Sequence, residues 1–158
     1  MEMHILRILD FKAYGIEPMA FVQRYINAAH RSSDIFFYET TILFMDCLVP
    51  NVTMWNDRTC RKAASAILAA LILHDGEKKT IADVWNPNMV YYVWPSYKEL
   101  LPTVKHMYKV LIRLLREENR SSSLCIKYFS ESRHNGLLSK SCISLDKVKA
   151  ALAYTQLL

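Results

Sequence analysis

The sequence predicts an all-α domain of five helices around one buried central helix, and three observations carry that prediction. Between Ala63 and Leu73, in AASAILAALIL, ten of eleven residues are apolar and Ser65 is the only interruption. At 100° per residue Ile67, Leu68, Leu71, Ile72 and Leu73 point in nearly every direction, so a helix here must be covered on every side. The chain has only three glycines and five prolines, which favours helices with short joints over a sheet of many hairpins. Finally, the stretches following Pro18 and Ser96 repeat their apolar residues with helical spacing.

A membrane span is the alternative for the central run, but it needs about 20 apolar residues. Arg58, Arg61 and Lys62 before it, and the polar segment from His74 to Lys79 after it, leave too few. Its alanines would let neighbouring helices approach closely. The run is a hub.

In chain order, Met1 to Leu9 reads as the end of a helix, with Met3, Ile5, Leu6, Ile8 and Leu9 on its apolar side. Asp10 to Glu17 is a joint. Pro18 suits a helix start, where its missing N–H costs nothing. Met19, Val22, Tyr25, Ile26 and Ala29 then form an inner face, while Gln23, Arg24 and Asn27 face away. Ser32, Ser33 and Asp34 supply cap candidates for Ile35 to Val49. Fifteen residues is too long for a strand, and Glu39 and Asp46 fit one exposed helical stripe. Asn56 or Asp57 can cap the hub, and Asp75-Gly76 closes it.

Glu77 to Pro95 is the least regular part, with a turn or two of helix expected from Thr80 to Trp85. Trp85, Tyr91, Tyr92 and Trp94 are too many large aromatics for a solvated loop, so the segment should fold back on the helices. Ser96-Tyr97-Lys98-Glu99 is a capping-box pattern opening a helix to about Glu118. Leu101, Val104, Tyr108, Leu111, Leu114 and Leu115 are its inner face. Pro102 should bend it or move its true start later. Ser121 to Ser123 start a short helix, and Leu145 to Leu158 reads as a helical tail with Leu145, Val148, Leu152 and Thr155 on one side. The expected organisation is a joint over 1–17, a helical box over 18–144 and a tail over 145–158.

Catalytic motifs do not emerge. Gly15, Gly76 and Gly136 stand alone, so no phosphate-cradling loop forms. His4, His30, His74, His106 and His134 are scattered. Cys47, Cys60, Cys125 and Cys142 show no zinc spacing and read as free thiols. His74 reads as a cation at the negative end of the hub's dipole. Glu117 and Glu118 are adjacent on a helix and point apart. The expectation is a non-enzyme with no cofactor and no bound metal. The start MEMHILRILD carries charge and lacks a leader's apolar core, so the expected compartment is nucleus or cytoplasm.

Twenty Lys and Arg against fifteen Asp and Glu leave +5, a mildly basic surface. Lys105, Lys109, Arg113 and Arg116, spaced by 4, 4 and 3, gather on the outer face of one helix. A solvated face is the plain reading, and contact with an anionic partner or a nucleic-acid backbone is the functional one.

The order of segments resembles a known family. Glu2-Met3-His4-Ile5-Leu6-Arg7-Ile8-Leu9-Asp10-Phe11, then Pro18 and Phe21-Val22-Gln23-Arg24-Tyr25, resembles the passage joining the two boxes of a cyclin. Tyr38-Glu39 through Asp46, and then Arg58 to Leu71, resemble the next two helices of the second box, the latter being the family's alanine-rich central helix. Leu124-Cys125-Ile126-Lys127-Tyr128-Phe129-Ser130 is similar to the KY-containing ending of A- and B-type cyclins. Asp57-Arg58 replaces the proline-serine pair that usually opens the central helix. The resemblance implies a second, C-terminal cyclin box acting as a regulatory or scaffolding domain. Its partner would be a cyclin-dependent kinase or a first cyclin box, with no membrane. The first box, which carries the family's main kinase contacts, has no counterpart among these residues, so no kinase activation by this chain alone is expected. The rival expectation is nucleic-acid binding, since general transcription factor IIB uses the same fold on DNA.

Overall fold

The computed structural model describes residues 3, 7, 8, 10, 17–49, 57–76, 80–93, 96–116, 122–130, 138 and 143–158. All the regular structure among them is helical: α1 Met19–Ala28, α2 Ile35–Asp46, α3 Thr59–Asp75, α4 Ile81–Val84, α5 Pro87–Tyr92, α6 Tyr97–Leu114, α7 Ser123–Phe129 and α8 Leu145–Leu157. The five helices expected between residues 18 and 131 are α1, α2, α3, α6 and α7, and the irregular segment adds two short ones. Met3, Arg7 and Ile8 are helical as well. The Asp10 N–H closes that stretch on the Arg7 carbonyl at 3.1 Å, with φ at 51°. Ile5, Leu9 and Phe11 lie outside the described residues.

Helix α3 is the hub. Every residue from Ala63 to Leu73 is buried, and α1, α2, α6 and α8 all pack against it. Tyr108 joins α6 to it: the fully buried phenol donates to the Ala69 carbonyl at 2.7 Å, and its ring meets Phe44 of α2 edge-on at 5.4 Å. The polar ends of the hub are tied down separately. Arg61 donates to the Glu99 carbonyl at the start of α6 (2.7 Å), and Arg31, beyond α1, bonds Asp75.

Starts and stops are chemical. Asp34 caps α2 by accepting the Phe37 N–H at 2.9 Å. Ser96 and Glu99 form the expected capping box, and α6 begins at Tyr97 and includes Pro102 within it. The later start does not occur, because the box holds the first turn and Pro102 removes only one bond. The hub starts at Thr59 instead of being capped by Asp57, which accepts the Arg58 N–H at 2.9 Å; Asn56 lies outside the described residues.

Three expectations need correction. Glu39 is buried, at 3% exposure, and not part of an exposed stripe. Helix α2 has no wide polar face, and Ile35 and Tyr38 stand in solvent instead. Trp85 folds back into the core, but Tyr91 and Tyr92 do not, and Trp94 lies outside the described residues. His74 is not a cation at the helix end. Its ring lies 4.6 Å from the Phe36 ring and 5.5 Å from that of Phe37, and burial pushes its pKa down to about 4 despite Asp34 and Asp75. Desolvation outweighs the dipole.

Burial of the hub makes two substitutions diagnostic. Leu68→Arg should abolish cooperative thermal unfolding, since an unpaired buried charge costs several kcal/mol against a total of roughly 5–15. Ser65 is fully buried and its hydroxyl has no hydrogen-bond partner among the described residues. Ser65→Ala removes that uncompensated group and adds helix propensity, so Tm should rise by about 2–4 °C for a gain of ~1 kcal/mol. A fall in Tm would mean that the hydroxyl is satisfied.

His74 predicts a pH dependence. With the ordinary value at 6.5 and the folded value near 4, the unfolded chain holds a proton between those limits that the folded chain lacks. The contribution is therefore full above about pH 6.5, is lost as pH falls towards 4 and is flat below, on the order of 3 kcal/mol in all. Urea midpoints measured from pH 4 to 7 should show it, and His74→Phe should remove it. An unchanged slope in the variant would assign the effect elsewhere.

Candidate functional site

Helix α6 presents two chemically opposed sides. Leu101, Val104, Tyr108 and Leu111 are buried as expected, together with Leu100, Thr103 and Met107, while Leu114 and Leu115 are half-buried. On the other side Lys109, Arg113 and Arg116 are exposed and Lys105 is half-buried. Lys98 and His106 share this face by helical spacing. Helix α6 thus carries Lys105, Lys109 and Arg113 on one outer face, about 12 Å long at 1.5 Å per residue, and Arg116 follows just beyond the helix end.

His106 lies within reach of these charges. Partial burial, then the charges of Arg113 and Lys109, hold its pKa below the ordinary imidazole value.

The KY pair of α7 has a structural task. Tyr128, buried, donates its hydroxyl to Asp46 Oδ2 at 2.5 Å, and the Lys127 ammonium bonds the same oxygen at 2.5 Å. A seven-residue helix, too short to hold itself, is thereby fixed to the end of α2. One carboxylate serves both residues of the motif.

A second cluster was not predicted by the sequence. Gln23, Arg24 and Asn27 face away from the core as expected, but α5 comes alongside and encloses a groove of about 610 Å³ between them and Asn88 and Tyr92. The available signal was Asn86-Pro87-Asn88, a cap followed by a proline at the first helical turn. It marks a helix start without saying where that helix docks.

No group of three or more His, Cys, Asp or Glu residues that could hold a metal ion occurs among the described residues. Cys47, Cys60 and Cys125 are free thiols, and Cys142 lies outside the described residues. No described helix is long and apolar enough to cross a membrane.

The comparisons agree with this architecture. The family model described as Cyclin, C-terminal domain, matches residues 16–141, from just before α1 to beyond α7. Helix α8 lies outside the matched span and packs on α6 and α3. No curated protein and no solved structure matches the chain. With four-fifths of its length in that match and an all-helical fold around an alanine-rich hub, the chain belongs to the cyclin family, as a C-terminal cyclin box.

Proposed function

We propose that this C-terminal cyclin box is a non-enzymatic regulatory or scaffolding domain of a cyclin-dependent kinase complex, working in nucleus or cytoplasm. The observation that carries this reading is the family match across 16–141, which covers the second box and its central helix. The partner is a cyclin-dependent kinase or a first cyclin box. These 158 residues alone do not activate a kinase, because the family's main kinase contacts belong to the first box. Apolar side chains near the joint support docking there: Ile8 is 71% exposed and Met3 is also solvent-facing. Such surface tends to find a partner.

The basic face of α6 is the proposed contact for an anionic partner surface, with Lys105, Lys109, Arg113 and Arg116 as its charges. Each is exposed enough to bind without unfolding anything. Long-range attraction from such a face acts chiefly on association rate and weakens with salt.

Two measurements test this. In a histone-kinase assay with a panel of cyclin-dependent kinases, the chain alone should give no activation, and light scattering should show self-association or binding to a first box added in trans. Robust activation by the isolated chain would overturn the reading. Reversing Lys105, Lys109, Arg113 and Arg116 to glutamate should leave helical content nearly unchanged, since surface substitutions shift stability by about 0.5 kcal/mol each or less. The same variant should lose at least tenfold in association rate with the added first box at low salt. Tight, sequence-selective duplex binding at physiological salt, abolished by the reversal, would point instead to a nucleic-acid function.

A further inference from the structure

We infer that the groove between α1 and α5 binds an extended acidic peptide segment of a partner protein. The groove is lined by Gln23, Arg24, Asn27, Ala28, Asn88 and Tyr92 and holds about 610 Å³, within the range of about 300–1,000 Å³ typical of ligand sites.

Its walls are fixed. Asn86 caps α5 by accepting the Met89 N–H at 2.9 Å, and its amide nitrogen donates to the Ala28 carbonyl at 3.3 Å. Met89 is fully buried beneath. Beyond it the Asn88 amide nitrogen lies 2.9 Å from His30 Nε2. His30 holds φ at 57°, a left-handed conformation that a non-glycine residue adopts only at a cost. That turn also ends α1, with the Arg31 N–H reaching the Ile26 carbonyl at 3.1 Å. Side chains clip α5 to the end of α1, so the groove between them is a formed feature of the surface.

The lining chemistry suits a peptide backbone. Gln23, Asn27 and Asn88 carry primary carboxamides, each both donor and acceptor, which is the complement of a backbone amide. Gln23 and Asn27 lie one helical turn apart, about 6 Å along the axis. Alternate residues of an extended chain repeat at about 6.6 Å. The hydrogen bond from Gln23 Nε2 to Asn27 Oδ1 (3.2 Å) uses one donor and one acceptor, so Gln23 still offers its carbonyl and Asn27 its amino group.

Arg24 sets the charge. Its guanidinium carbon sits 5.1 Å from the centre of the Tyr92 ring, held as a cation over an aromatic face. Tyr91, 82% exposed, meets Tyr92 edge-on at 4.9 Å, giving an apolar ledge next to the cation. One guanidinium matches one carboxylate, and the ledge takes an apolar neighbour. A nucleic-acid strand fits less well, since it brings a phosphate with every nucleotide and, among the described residues, Arg24 is the only Lys or Arg lining the groove.

The test is amide NMR on the full chain. The probes are a decapeptide library with glutamate fixed at one position, a matching library with lysine fixed there, and decathymidylate. The glutamate peptides should shift the side-chain amide signals of Gln23, Asn27 and Asn88, and the lysine peptides should not. For the best peptide, Arg24→Glu and, independently, Asn27→Ala should each weaken binding at least tenfold while the circular-dichroism spectrum stays that of the parent. The proposal is overturned if the glutamate peptides leave those signals unmoved, if both variants bind as the parent does, or if decathymidylate shifts the signals more than the peptides.

Discussion

Eleven consecutive buried residues, Ala63 to Leu73, leave α3 with no face on which to carry polar side chains. A helix covered on all sides needs neighbours on all sides, and α1, α2, α6 and α8 supply them. The alanines among those residues lower the height of the hub's surface, while Ile67, Leu68 and Ile72 fill the spaces between neighbours. Each such side chain contributes about 1.5–3 kcal/mol by leaving water. Polar contacts are confined to the hub's ends, where Arg61 and Arg31 join it to α6 and to the α1–α2 turn. Tyr108 is the exception in the middle, and it is satisfied by a hub carbonyl.

Because the interior is committed to packing, function is left to the outside. The two outward surfaces differ in kind. The α6 face is a row of cations suited to attraction at a distance. The α1–α5 groove is short-range, built among the described residues from carboxamides and Tyr92 around the Arg24 guanidinium. Neither depends on a strained hub, so substitutions at either should leave the core unchanged.

The hub, the amphipathic α1 and α6, and the caps at Asp34, Ser96 and Ser122 were legible because each depends on neighbours in sequence. Helical spacing also places Lys105, Lys109 and Arg113 on one face, whereas Arg116 lies beyond the end of α6 at Leu114. What escaped depended on distant chain. Glu39 occupies a position that local spacing marks as outward, and tertiary packing buries it. His74 follows the hub's dipole by sequence, yet Phe36 and Phe37, nearly forty positions earlier, exclude the water its charge would need. Asn88 and His30 are 58 residues apart, and no local pattern announces that their side chains meet. The shared Asp46 beneath Lys127 and Tyr128 is of the same sort: the motif was readable, its partner was not.

The central claim is that α3 organises everything else, and native-state hydrogen exchange tests it most directly. If the hub is covered on all sides, the amides from Ala66 to Leu73 should exchange only through global unfolding, with the free energy of denaturant unfolding. Amides of α5 and α7 should exchange through smaller openings. Hub amides that exchange with a free energy well below the global value, while those of α1 or α8 remain protected, would contradict the account.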